Sequence, residues 1–325
     1  MKPVLISGIQ PTGRLHIGNY LGALSNFVEL QNSQQYQTLF FIADLHSLTI
    51  DFDPREKSGQ IFDLLDIYLK AGLNPKQSII FLQSMVPAHA ELSWILSTTT
   101  PFGDLRRMTQ FKEKGQANPQ NVNVGLFFYP VLMAADVLLY DAQVVPVGDD
   151  QLQHLELART LARKFNRRFG KVFTEPKPIL TKTSRLLSLI DPNRKMSKSQ
   201  PKGCLFLSDS PKEIRQKILS AVTDSGKEIR YDLKAKKAVS NLILIYAQFS
   251  RKSVKEVEAE FKGKGYADFK RALANLLIDK LAAFRQPKMP KEKLVKVLNN
   301  GAKKANEIAN KKMELVKRRI GISIE

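Results

Sequence analysis

Short apolar runs alternate with amphipathic helical patterns through the first half of the chain, and this alternation restricts it to an α/β sheet architecture. Pro3-Val4-Leu5-Ile6-Ser7 reads as a first strand. From Gly18 onward, Tyr20, Leu21, Leu24, Phe27, Val28 and Leu30 recur at helical spacing. Thr38-Leu39-Phe40-Phe41-Ile42-Ala43 is apolar almost without a break, as in a strand covered on both faces. Asp53-Pro54-Arg55-Glu56 supplies an N-cap, a proline at the first helical position and an acid at the third. Ser78-Ile79-Ile80-Phe81-Leu82 is the next strand, followed by a helical pattern over 125–139. Val144-Val145-Pro146-Val147 is a short strand, and a helix over 150–169 ends at Gly170. Strands separated by helices predict a parallel, doubly wound sheet.

Beyond residue 200 strand signals are few. Ser210-Pro211-Lys212-Glu213 is a capping box. Helical patterns cover 238–249, 253–260, 266–284, 290–298 and 301–318. The spacing places a domain boundary near 190, giving a sheet domain over 1–190 and an all-helical second domain over 191–325. Charge follows the same division. Lys and Arg exceed Asp and Glu by 3 over residues 1–190 and by 17 over 191–325. A basic second half points to a polyanionic partner, since each neutralised phosphate releases counterions; the alternative is a lysine-rich solvated surface. The single cysteine, Cys204, forms no internal disulfide. With four scattered histidines it builds no Cys/His zinc cluster. There is no stretch of about 18 uncharged apolar residues to span a membrane, and the N-terminus lacks the pattern of a signal peptide. A cytoplasmic protein is expected.

Two segments carry chemistry. Gly8-Ile9-Gln10-Pro11-Thr12-Gly13-Arg14-Leu15-His16-Ile17-Gly18-Asn19 joins the first strand to the first helix. Its glycines admit close backbone approach, and helix N-terminal amides favour an anion. His16 and Asn19 add side-chain donors. The alternative is a tight turn with no ligand. Lys195-Met196-Ser197-Lys198-Ser199 places two ammonium groups and two hydroxyls in a loop, a set suited to the phosphates of ATP. An exposed basic loop is the alternative there.

Together the segments ending in His16-Ile17-Gly18-Asn19 and the Lys195–Ser199 loop resemble the signature pair of class I aminoacyl-tRNA synthetases. Further segments resemble the tryptophanyl branch of that family. They are Ser7-Gly8-Ile9-Gln10-Pro11-Thr12-Gly13, Tyr129-Pro130-Val131-Leu132-Met133-Ala134-Ala135-Asp136-Val137-Leu138-Leu139-Tyr140, and Val145-Pro146-Val147-Gly148-Asp149-Asp150-Gln151. Met108-Thr109-Gln110-Phe111-Lys112 and Ala221-Val222-Thr223-Asp224-Ser225 also match. Asn19 stands where the wider class has a second histidine, a form common in this branch. The resemblance covers nearly the whole chain. It implies a Rossmann-like catalytic domain, activation of L-tryptophan with ATP and Mg2+ as the substrate complex, and no tightly bound protein metal site. It also implies transfer to tRNA(Trp), anticodon recognition by the helical domain, and a homodimer.

The resemblance also implies residue roles. Lys195 and Lys198 would stabilise the reacting phosphates, with His16 and Asn19 on the opposite side. Gln10, Pro11, Thr12, Gly18, Asn19, Gly148, Asp149, Asp150, Leu186 and the loop Lys195, Met196, Ser197, Lys198 and Ser199 would hold ATP. Asp136 would read the indole N–H, with Ile6, Met133, Val145 and Val147 lining the slot. His46, Tyr129 and Gln151 would contact the amino and carboxylate groups. The residues agree on Asp136. Tyr129, Met133 and Asp136 are spaced i, i+4, i+7 and share one helix face. A carboxylate on an apolar face needs a partner, and indole offers a donor only; a buried Asp capping a loop or holding an arginine is the alternative. Three positions depart from the family pattern: Ile6 replaces a frequent aromatic, Thr183-Ser184-Arg185 replaces Gly-Ala-Arg, and Gln200 replaces an Asp.

Overall fold

The computed structural model describes residues 2–109, 111, 120, 122–180 and 186–324. Gln110 and Lys112 of the matching segment, and Thr183, Ser184 and Arg185, lie outside the described residues. The chain divides into two compact units. The first joins Met1–Gly13, Phe27–Thr181 and Met289–Glu325, and the second joins Arg14–Asn26 and Lys182–Lys288. These bounds differ from a division into 1–190 and 191–325. Residues 14–26 and 182–190 belong with the helical unit, and residues 289–325 return to the sheet.

The first unit is built on a parallel five-stranded sheet. Its elements are β1 (Val4–Ile9), α1 (Ser25–Asn32), β2 (Gln37–Ile42), α2 (Pro54–Ala71), β3 (Ile79–Leu82), α3 (Ala88–Ser97), α4 (Phe102–Arg106), α5 (Val124–Leu138), β4 (Val144–Val147), α6 (Leu152–Phe169) and β5 (Lys177–Leu180). The strand order is β3-β2-β1-β4-β5. Val4 pairs with Gln37, Leu39 with Ile79, Leu5 with Val144 and Val144 with Lys177. The chain winds outward through β1, β2 and β3, then crosses back to the other side of β1 for β4. That reversal is the switch point of a Rossmann-like sheet, and ligands bind such sheets beyond the carboxyl ends of the strands. β2 is apolar because every residue after Gln37 is buried. β5 was not expected from the sequence. It is an edge strand whose lysine, proline and exposed Leu180 make no apolar run, and an edge tolerates a proline.

Local signals position these elements. Asp53 accepts a hydrogen bond from the Arg55 amide ahead of Pro54, and α2 ends at Gly72 with φ +111°. The C-terminal helix corrects an expectation. The sequence predicts two helices separated near Gly301, but Lys291–Ile320 is continuous. Glycine is needed there for contact: a Cβ at Gly301 would stand 1.8 Å from the Ile80 carbonyl oxygen. The helix therefore lies backbone-close on β3, and the residue that reads as a break is a packing requirement.

The second unit is helical, with α7 (Pro211–Leu219), α8 (Lys237–Ser250), α9 (Val254–Glu260) and α10 (Tyr266–Lys280). The capping box of α7 forms as expected, with Ser210 and Glu213 each bonding the other's backbone. The rings of Tyr246, Phe261 and Phe269 pack within 4.8 to 5.8 Å of one another at its core. Among the described residues no helix is long and apolar enough to cross a membrane.

Candidate active site

In the first unit, Asp136 projects from α5 into a buried polar cluster and is 2% exposed. Gln83 Nε2 donates to Oδ1 at 2.7 Å and His89 Nδ1 donates to the same oxygen at 2.6 Å. His46 Nε2 donates to Oδ2 at 2.7 Å. His46 and Gln83 lie in the turns just beyond β2 and β3, and His89 in the first turn of α3. Three donors thus converge from the carboxyl edge of the sheet on one carboxylate. Burial alone would raise its pKa, but His46 and His89 outweigh that and hold the group well below the usual aspartate range. Asp136 is therefore an anionic acceptor. A carboxylate offers about four acceptor sites, so with three taken, the one remaining is on Oδ2.

The other residues expected to hold tryptophan fall in the same unit. Tyr129 shares α5 with Asp136, and its ring lies 6.1 Å from His46. Met133 is half-buried. Ile6, Val145 and Val147 belong to one buried apolar cluster. Gln151 follows the turn that starts at Gly148 and takes part in a hydrogen-bond chain. Its Nε2 donates to Asp150 at 2.9 Å, its Oε1 meets His154 Nδ1 at 3.1 Å, and His154 Nε2 meets the Tyr129 hydroxyl at 2.9 Å. The direction at Gln151 propagates along the chain: His154 donates from Nδ1 and accepts the Tyr129 O–H at Nε2. Asp149 and Asp150 are exposed, while Gln10 and Thr12 are half-buried beside a buried Pro11.

In the second unit, the first signature segment lies against the chain preceding α7. Ile17 N donates to Leu205 O at 3.0 Å and Leu207 N to Leu15 O at 3.0 Å. Arg14 binds the buried Asp209 at 3.0 Å, which also holds Lys217 at 2.6 Å. The His16 amide donates to Asn19 Oδ1 at 3.1 Å, and the Gly18 amide donates to His16 Nδ1 at 3.0 Å. Asn19 is thus held by its oxygen, which leaves its nitrogen end to donate. A Cβ at Gly18 would stand 2.8 Å from His16 Cε1, so the imidazole position requires glycine there. Burial, then Lys198 and Lys195, lower the His16 pKa to about 4. The ring is neutral at pH 7. Because Nδ1 accepts, its proton sits on Nε2 as a donor.

The lysine loop belongs to the same unit. Met196 is its buried anchor, and the Met196 amide donates to Leu186 O at 2.9 Å. Lys195 and Ser199 are exposed. Ser197 and Ser199 bond each other through their hydroxyls at 2.9 Å. Lys198 is half-buried, and that burial holds its ammonium below the ordinary lysine value. This unit therefore gathers His16, Gly18, Asn19, Leu186 and the whole Lys195–Ser199 loop, a set of cations and neutral donors suited to a polyphosphate.

Sequence reasoning missed Gln83, His89, Tyr140 and His154. His89 and His154 are fully buried, yet each occurs in an ordinary helical pattern. The one available signal was a histidine within an apolar face, which names no partner.

A sheet that reverses at β1, a buried anionic acceptor and a lysine loop paired with a histidine turn define a class of enzyme that activates carboxylates with ATP. The family model for tRNA synthetases class I (W and Y) matches residues 1–282, and the chain belongs to that family. Within it, the chain groups with the tryptophanyl enzymes. It is 47% identical over 99% of its length to the tryptophan–tRNA ligase of Caldanaerobacter subterraneus subsp. tengcongensis, of which 99% is covered. The solved tryptophanyl-tRNA synthetase of Mycoplasma pneumoniae is 35% identical, with a TM-score of 0.89 over 99% of both chains. That of Campylobacter jejuni, complexed with ADP and tryptophan, is 35% identical, with a TM-score of 0.80 over 98% of this chain and 99% of the other.

Proposed function

We infer that this chain activates L-tryptophan with ATP and transfers it to tRNA(Trp), releasing AMP and diphosphate. It is a tryptophan–tRNA ligase of the class I family. The observation that carries the choice of amino acid is the buried, ionised Asp136 with one acceptor position left on Oδ2. An indole N–H matches that position; a phenyl ring would leave it unpaired, which costs far more than a packing difference. Met133, Val145, Val147 and Ile6 supply the slot, and His46, Tyr129 and Gln151 the amino and carboxylate contacts.

The tryptophan carboxylate attacks the α-phosphorus in line. A P–O bond to the acyl oxygen forms, the bond to the β-phosphate bridging oxygen breaks, and diphosphate leaves with Mg2+, which arrives as the ATP complex. No general base is required because the nucleophile is already ionised. Lys195 and Lys198 stabilise charge on the transferring and leaving phosphates. His16 Nε2–H and Asn19 donate to the other side. Gln10, Pro11, Thr12, Gly18, Gly148, Asp149, Asp150, Leu186, Met196, Ser197 and Ser199 complete the ATP contacts. In the second step the terminal ribose hydroxyl of tRNA attacks the acyl carbon and AMP departs.

Amino-acid-dependent ATP–diphosphate exchange with tryptophan, tyrosine and phenylalanine side by side tests the reading. Exchange with tryptophan alone is expected, and exchange driven equally by tyrosine would overturn it. Amino-acid selection is assigned to the sheet unit, phosphate contacts to the lysine-loop segment, and anticodon binding to the basic helical part. The excess of 11 positive charges over residues 191–288 supports the latter. A tRNA affinity independent of salt would remove that support. A homodimer in the cytoplasm completes the proposal. The exposed apolar side chains Trp94, Phe102 and Val124 on the sheet unit support the dimer, and a monomeric mass in solution would refute it.

A further inference from the structure

His89 is fully buried in the first unit, and its place among apolar rings calls for an explanation. Its imidazole packs 6.1 Å from the Phe41 ring, 5.9 Å from Phe81 and 5.5 Å from Tyr140, measured between centroids. A polar ring in such surroundings is stable only when both nitrogens are paired. Both are: Nδ1 meets Asp136 Oδ1 at 2.6 Å, and Nε2 meets the Tyr140 hydroxyl at 2.9 Å. With Nδ1–H donating to the carboxylate, Nε2 is left to the Tyr140 hydroxyl. Tyr140, itself 2% exposed, thereby holds the ring in place. Gln83 completes the arrangement by donating to the same Oδ1 at 2.7 Å. Its own Oε1 is buried without a hydrogen-bond partner. A buried acceptor left unpaired is costly, so the amide is oriented for Asp136 rather than for its own satisfaction.

We propose that His89, held by Tyr140, is a positioning residue for amino-acid selection: with Gln83 it saturates Oδ1 of Asp136 and fixes the carboxylate so that only Oδ2 remains to accept the indole N–H. The proposal rests on Asp136 being the indole reader. His89 touches no substrate and acts through the orientation of that carboxylate. Without its N–H, Oδ1 keeps Gln83 alone and Oδ2 keeps His46, the carboxylate is held less firmly, and the acceptor for indole shifts off line. The loss falls on substrates that carry the N–H and spares those that do not. A residue that merely filled the core would affect both alike.

The test compares kcat/KM in ATP–diphosphate exchange for tryptophan and for its analogue with sulfur in place of the indole N–H. The wild type is expected to prefer tryptophan by about 10,000-fold. His89→Leu is expected to lower kcat/KM for tryptophan about 30-fold and for the sulfur analogue less than threefold, with the KM for ATP unchanged. His89→Asn, which can place an amide N–H near the Nδ1 position, should restore the preference to within about threefold of wild type. An equal loss on both substrates, or no loss on either, overturns the proposal. If His89→Leu does not fold, Tyr140→Phe decides: a preference reduced about threefold to fivefold supports the relay, and an unchanged preference overturns it. Failure of the Asp136 reading itself would look different, because the wild type would then show no preference for tryptophan over the sulfur analogue.

Discussion

The carboxylate of Asp136 is buried and takes hydrogen bonds from Gln83, His46 and His89. In the lysine loop, Lys195 is exposed, and the hydroxyls of Ser197 and Ser199 bond each other. The proposed function accounts for the difference by what each region would recognise. A neutral N–H is a weak signal that water competes for, so its reader must be dry, ionised and aimed before the substrate arrives. A triphosphate is a strong signal that travels with its own charge. Its readers gain more from reach than from confinement, and lysine keeps its hydration until the anion displaces it. Under the proposed function, the first region bears on which amino acid is taken, the second on how fast phosphorus is attacked.

Asp136→Asn strikes the first region hardest. The new amide offers one acceptor where the carboxylate offered two, and it turns a donor toward histidine or glutamine donors already in place. We expect kcat/KM for tryptophan to fall on the order of 1,000-fold, since hydrogen bonds to a buried charge are worth about 1.5–3 kcal/mol each and more than one is lost. Phenylalanine, which never used the acceptor, should be affected little. Steady-state exchange with both amino acids checks this. A loss of less than tenfold for tryptophan would mean that Asp136 is structural, and the contrast between the regions would collapse.

Lys195→Ala is the corresponding change in the second region. The expected signature is inverted: kcat falls roughly 100-fold while the KM for tryptophan stays within about threefold. Because the side chain is exposed, the melting temperature should stay near that of the wild type, as for most surface substitutions. Kinetics and a thermal melt together decide it. A variant with normal kcat and weakened tryptophan binding would assign the loop to selection rather than chemistry.

The two regions also differ in how far they could be read from sequence. The signature segments announce themselves by residue type and spacing, and the strands that frame Asp136 are visible because β2 and β4 are nearly unbroken apolar runs. What surrounds Asp136 is not visible. His89 and His154 are polar residues within apolar helical patterns, and their partners are 47 and 25 positions away, at Asp136 and Tyr129. Such pairings exist only once the sheet has brought its carboxyl-edge turns together. β5 escaped notice for the opposite reason, as an edge strand needs no apolar run. Gly301 misled because glycine carries two meanings, a helix breaker or a close contact, and only the Ile80 carbonyl beside it tells which applies. Membership of residues 14–26 in the helical unit likewise rests on tertiary pairs, Leu15 with Leu207 and Arg14 with Asp209.

The smallest expected effect separates the regions most cleanly, because it tests how each uses histidine. His46 and His89 serve a carboxylate, while His16 lies among cations. Burial is the larger cause of its lowered pKa, with Lys198 and Lys195 adding to it, and the value in the folded chain is about 4 against 6.5 for the free side chain. Between those values the unfolded chain binds the extra proton and the folded chain does not. His16 therefore favours folding above pH 6.5, and that contribution is lost as pH falls toward 4. A titration of the His16 Cε1 proton by NMR should give a midpoint near 4. In Lys198→Ala the midpoint should rise by no more than about one pH unit, because the burial that dominates the shift remains. A wild-type midpoint near 6.5 would leave His16 partly charged at neutral pH. It would then act as a third cation beside the lysines rather than the neutral Nε2 donor that its bond from the Gly18 amide defines.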